Sequence, residues 1–147
     1  MNAGDGFFVD SNVLLYSVDP VELWKRARAT EWLEALWETG RGRLSWQVLH
    51  EFYWNAVRKM GLKPVAAREI VEDMRHWMPV DTSLGLIQQA WHWMDDAQLS
   101  YGDALILAAA ERSGAGYLLS EDFQSERRYQ DVRVLNPFAQ TPAELGL

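Results

Sequence analysis

The chain has 147 residues, eight tryptophans, no cysteine and a formal net charge of −7. That length suits one domain with a substantial core, and the lack of thiols excludes disulfides, thiolate zinc ligands and a cysteine nucleophile. No apolar run reaches membrane-spanning length and the N-terminus has no basic region followed by an apolar stretch, so a cytoplasmic protein making no use of a membrane is expected.

In chain order, Gly6 to Asp10 reads as a short buried strand, because Phe7, Phe8 and Val9 form an apolar run too short for a helix. Asp19 and Pro20 supply a cap and a first-turn proline for a helix that lasts until Gly40, with Leu23, Ala27, Leu33 and Trp37 at near-helical intervals. Arg43 to Trp46 suits a second strand, leading into a helix from Gln47 to Lys59 that Gly61 ends. Pro64 starts the next helix, which runs to Trp77 and stops before Pro79. Asp81, Thr82 or Ser83 can cap another through Gln98, and Gly102 to Arg112 makes a nearly all-apolar helix stopped by Gly114. Tyr117 to Leu119 and Val132 to Leu135 complete the strands, and a short polar tail follows. Strands alternating with helices imply a three-layer α/β/α domain over residues 1–147, with a central, mostly parallel sheet and residues 136–147 as its tail.

Four acids stand out. Asp10 and Asp122 lie at the ends of apolar strand-like runs, where ligands bind in open α/β sheets. Asp103 opens an apolar helix, and a buried helix rarely carries an acid without a partner. Glu51 sits on a helix whose core face is Leu49, Phe52, Tyr53, Ala56 and Val57, and so points the other way. Each acid also has a plainer role: Asp10 as a helix cap, Asp103 as a first-turn charge that favours the helix dipole, Asp122 as a turn residue, Glu51 as a solvated side chain. Were the four to converge, a cation would be needed among them for all to stay ionised, and an oxygen-only set selects Mg²⁺ or Mn²⁺ over zinc. A zincin motif fails here, because His50-Glu51 is followed by Trp54 where the second histidine would stand.

The segments Asp10-Ser11-Asn12-Val13, Glu51, Asp103-Ala104-Leu105-Ile106 and Leu118-Leu119-Ser120-Glu121-Asp122, in this order between Phe7 and Pro137, resemble the PIN-domain ribonucleases, and among them the VapC-type toxins of toxin–antitoxin pairs. Ser11 stands where threonine is commoner, and Gly102 where a larger residue is usual. The resemblance implies a metal-dependent endoribonuclease in which Asp10, Glu51, Asp103 and Asp122 hold one or two Mg²⁺ or Mn²⁺ ions that activate water and stabilise the leaving oxygen. Asn12 and Ser120 would support these ligands from behind, although the plainer reading of Ser120, as a strand-end hydroxyl, is the favoured one. The implied partners are an RNA substrate, a cognate antitoxin with a basic inhibitory tail laid across the acids, and a second copy of the chain.

Two other readings follow from the residues themselves. Trp54 and Arg58 share a helical face with Glu51, so a base splayed from single-stranded RNA could stack on Trp54 while Arg58 meets a phosphate; alternatively Trp54 packs under a neighbouring helix. Trp24, Trp32, Trp37, Trp77, Trp91 and Trp93 lie on peripheral helices and exceed what one face can bury, which points to a partner surface. The negative charge disfavours avid general RNA binding, and the basic residues cluster in three groups, around Lys25 to Arg43, Arg58 to Arg68 and Arg127 to Arg133. The rivals are a catalytically silent PIN-fold binding module and an aspartate-nucleophile phosphohydrolase, in which Asn12 would occupy the place of the usual second acid.

Overall fold

The computed structural model describes residues 3–147. The elements are β1 (Phe7–Val9), α1 (Ser11–Tyr16), α2 (Leu23–Thr39), β2 (Gly42–Arg43), α3 (Trp46–Arg58), α4 (Pro64–Met74), α5 (Leu84–Ala97), α6 (Tyr101–Arg112), β3 (Tyr117–Leu119), β4 (Arg128–Tyr129) and β5 (Val132–Leu135). The sheet runs in the order β2-β1-β3-β5-β4 and is parallel except for the β4–β5 pair. This is a three-layer α/β/α architecture around a mostly parallel sheet. Among the described residues no helix is long and apolar enough to cross a membrane.

From β1 the chain crosses to β2 on one side, then returns past β1 to β3 on the other. The crevice beyond the carboxyl ends of β1 and β3 is therefore the topological switch point, where open α/β sheets bind ligands. The three central strands hold Phe7, Phe8, Val9, Leu118, Leu119, Val134 and Leu135 fully buried, as expected of a sheet covered on both faces.

Local chemistry sets most helix ends. The side chains of Ser45, Ser83 and Ser100 accept hydrogen bonds from the backbone N–H groups of Val48, Leu86 and Asp103, which caps α3, α5 and α6. Pro64 occupies the first turn of α4, which tightens into a 3-10 turn at Arg75–Trp77 before Pro79. Gly40 ends α2 in the left-handed conformation, φ +68°, a region open to glycine without steric cost.

Several expectations need correction. Asp19 does not cap α2 directly. Its Oδ1 accepts from the N–H groups of Val21 and Glu22, closing a turn ahead of the helix, and Pro20 lies outside it. The buried stripe of α2 is Ala29, Trp32 and Leu36, whereas Leu23 and Trp37 are exposed. Apolar residues occur all round this helix, so more than one stripe satisfies a 3.6 period. What decides between them is the chain that α2 meets, because Trp32 Nε1 donates to the carbonyls of Pro137 (2.9 Å) and Gln140 (3.0 Å). The segment after Pro137, expected as a polar tail, thus lies against α2 and buries Phe138. The second strand is only Gly42–Arg43, because Ser45 begins capping α3 two residues later. The edge strand β4 had no counterpart among the expected elements, and the short helix α1 was foreseen only through the reading of Asp10 as a helix cap.

Candidate active site

Asp10 follows β1 directly, and its side chain accepts from the Ser11 N–H at 2.7 Å. It does cap α1, as the plainer reading has it. Its other oxygen, Oδ2, accepts from the hydroxyl of Ser120 at 2.7 Å, just beyond the end of the adjacent β3. Ser120 is fully buried, and its Oγ in turn accepts from the Asp122 N–H at 3.1 Å. A strand-end hydroxyl therefore ties the two strand-end aspartates into one unit.

The remaining acids join this unit from the helices. Ser11 donates its hydroxyl to Glu51 Oε2 at 2.7 Å, and Gln47, one turn earlier on α3, donates to Glu51 Oε1 at 3.0 Å. Glu51 does leave the core face of α3, where Val48, Leu49, Phe52 and Ala56 are buried, and it turns toward the crevice. Asn12 Nδ2 donates to Asp122 Oδ2 at 2.8 Å. Asp103 lies in the first turn of α6, with its backbone N–H held by Ser100, and Gln47 also reaches the Gly102 carbonyl at 3.4 Å.

The electrostatics follow from this crowding. Only 4 % of Asp10 is exposed, and burial pushes its carboxyl up to about 7; the hydrogen bonds from Ser120 and Ser11 oppose the rise, and the charges of Asp122 and Glu51 add to it. Burial also raises Asp103, against the hydrogen bond from Ser100, with Asp122 and Glu51 again adding like-charge repulsion. Each raised group thus feels two of the other acids. All four lie in one electrostatic neighbourhood.

Among the described residues, no three acidic or histidine side chains stand close enough to ligate one ion directly. Ser11, Gln47, Asn12 and Ser120 each hold a carboxylate by hydrogen bonding. The donor chemistry nevertheless fits a hard cation that keeps part of its water shell: the set is all oxygen, and Asn12 Oδ1 is buried beside it without a hydrogen-bond partner.

Residues missed by sequence reasoning are Gln47 and the hydroxyl of Ser11 in its role toward Glu51. The i, i+4 spacing of Gln47 and Glu51 was available as a signal. The bond between Ser11 and Glu51 was not, since those residues are forty positions apart. Trp54 is 58 % exposed, and Arg58 stacks over its indole at 4.9 Å. Trp54 lines a groove between α3 and α4 together with Tyr53 and Arg68, and among the described residues no hydrogen bond links Trp54 or Arg58 to the acids. Packing of Trp54 under a neighbouring helix is thereby excluded. Three of the basic residues are engaged in ion pairs: Lys25 with Glu121, Arg28 with Glu31, and Arg133 with Glu126.

Residues 7–130 match the PIN domain family, and the chain belongs to that family. PIN domains are generally nucleases, hydrolases that use divalent metal ions. No curated protein matches the chain.

Proposed function

We propose that this PIN domain is a Mg²⁺- or Mn²⁺-dependent endoribonuclease and the toxin of a VapBC-type toxin–antitoxin pair. The observation that carries the reading is the buried Asp10 carboxylate, raised by its surroundings and tied through Ser120 to the Asp122 segment at the switch point of the sheet. A buried acid that shares its site with three others is stabilised in its charged form by a bound cation. When bound, the ions supply an acidified water and neutralise charge on the leaving oxygen. Asp10, Glu51, Asp103 and Asp122 hold them. Ser11, Asn12 and Ser120 keep three of these carboxylates oriented, which leaves little reorganisation when substrate arrives.

On this reading Trp54 offers its exposed ring to an unpaired base and Arg58 meets the neighbouring phosphate. The antitoxin places a basic tail over the acids, since an arginine is the natural replacement for a cation in such a site. A second copy of the chain covers part of the exposed tryptophan surface, to which Trp24 and Trp91 contribute. The chain works in the cytoplasm. The toxin role rests on the four motifs and their order.

The test is cleavage of total RNA with Mg²⁺, with Mn²⁺ and with chelator, followed by mapping of the cut ends. The expected result is metal-dependent cleavage that Asp103→Asn reduces to the chelator level. One observation favours the silent binding module instead, namely that among the described residues no three acids stand close enough to ligate one ion directly. A melting temperature unchanged across a millimolar Mg²⁺ and Mn²⁺ series would select that alternative.

A further inference from the structure

We propose that the cleft at the opposite end of the sheet from the acids, walled by Trp37, Trp77 and His76 and flanked by Arg43 and Arg112, is a second binding site for a nucleotide unit, that is, a flat base with its phosphate. The unit comes either from a stretch of RNA away from the scissile bond or from a free nucleotide, since the two share this chemistry. The inference stands independently of the nuclease reading.

The cleft has a volume of about 700 Å³, within the range of small-ligand sites. Gly40, which ends α2, Gly42, at the start of β2, and Ser113, at the end of α6, line it. It therefore lies a full helix length from Asp103, about 14 Å along α6 at 1.5 Å per residue. Its aromatic wall is built in. A Cβ on Gly42 would fall within the Trp77 indole, so that ring lies directly on the Gly42 backbone, and only glycine lets it approach so closely. Trp37 continues the wall, with ring centroids 6.2 Å apart, and His76 adds a third ring 6.1 Å from Trp37. Trp37 is 49 % exposed, although the core has room for Trp32 on the same helix. Flat, rigid rings left open to water are stacking platforms, and every base has a face to offer them.

Charge is the second, separate observation. In a chain of net charge −7, no Asp or Glu among the described residues lines this cleft, while two arginines and a histidine do. The carbonyl ends of α2 and α6 both open here, and by themselves they would repel a phosphate. Arg43 covers one of these ends, with Nη1 donating to the carbonyls of Gly40 (3.0 Å) and Gly42 (2.8 Å). Arg112 sits in the last turn of α6 and forms no ion pair among the described residues. Compensation of helix dipoles accounts for the arginines alone. It does not account for two indoles and an imidazole placed between them, and that combination is what recognises a base and a phosphate together.

The test follows the tryptophan indole N–H signals of ¹⁵N-labelled protein by NMR, with Trp37 and Trp77 assigned through Trp37→Phe and Trp77→Phe. Adenosine and uridine 5′-monophosphates, inorganic phosphate and a short single-stranded RNA are titrated in turn, all with chelator present so that nothing is cleaved. The expected result is that RNA or the monophosphates shift the Trp37 and Trp77 signals saturably, and that Arg112→Ala weakens this binding about tenfold or more. Shifts with RNA alone assign the site to the substrate chain, and equal shifts with the monophosphates assign it to a free nucleotide; either supports the proposal. Asp103→Asn should leave the shifts intact, which separates this site from the carboxylates. The proposal is overturned if neither probe moves these signals, if inorganic phosphate does so as well as the nucleotides, or if dilution alone moves them, which would make the cleft a contact between copies of the chain.

Discussion

At the carboxyl ends of β1 and β3 the chain gathers acids onto serine hydroxyls, whereas at the amino end of β2 it gathers arginines onto aromatic rings. The first region is held by hydrogen bonds between residues far apart in sequence, and the second by one ring lying on one glycine. Both belong to a protein whose net charge, taken as a single number, speaks against nucleic-acid binding. The difference teaches that net charge averages over surfaces with opposite tasks. A cation can reverse the sign at the acidic end, and the basic end needs no such help.

The comparison is most exposed to Asp10→Asn. With its carboxyl raised to about 7 against an ordinary value of 3.8, native Asp10 binds a proton more tightly than the unfolded chain does. In the metal-free protein this contribution is fully present below about pH 4 and is lost as pH rises toward about 7, by about 4 kcal/mol at most. Denaturant midpoints of the metal-free protein should therefore fall over that interval, and those of Asp10→Asn should fall less, since only the raised Asp103 remains, while RNA cleavage drops to background. A wild-type curve parallel to that of the variant would mean that burial does not raise the Asp10 carboxyl.

Ser120→Ala removes the hydroxyl that holds Asp10 Oδ2 and leaves every carboxylate in place. Metal affinity, read by calorimetry, should weaken about 10- to 100-fold, in line with the loss of groups that orient metal ligands. An unchanged affinity would reduce Ser120 to the strand-end hydroxyl of the plainer reading.

Gly42→Ala probes the opposite end. The added methyl must displace Trp77, an overpacking that should lower stability by about 1–3 kcal/mol in denaturant titrations. Mg²⁺ affinity should stay at the wild-type value, because the acids lie at the far end of α6. A joint loss of both would show that the two regions are coupled.

Arg58→Ala should have the smallest effect. If Arg58 meets a phosphate, the slope of log affinity for RNA against log salt should become shallower by about one unit, with metal binding untouched. Trp54→Ala would cost about 1–3 kcal/mol of RNA binding if the exposed ring stacks on a base. Slopes and affinities that do not move would leave the face beside Glu51 without a role in RNA binding.

Four of the five strands, the helix order and five of the helices were legible in the sequence because their signals are local: Pro64 at the start of α4, Gly40, Gly61 and Gly114 after α2, α3 and α6, Ser83 before α5, and an apolar run too short for anything but β1. Asp10 and Asp103 were legible as candidates for the same reason, each marked by its position in one element, whereas Glu51 and the choice of Asp122 over Glu121 came from the resemblance. That they form one neighbourhood was implied only by resemblance, and the geometry that joins them depends on contacts such as Ser11 to Glu51 and Ser120 to Asp10. Tertiary structure alone decided which stripe of α2 is buried, that residues after Pro137 lie along it, and that Trp37, Trp77, Arg43 and Arg112 meet around one cleft. The physical reason is range. Caps, turns and periodicity act within about four residues and are written into the local sequence, whereas burial and site geometry depend on which distant surface an element meets, and an α2 with apolar residues on every side carries no local record of that choice.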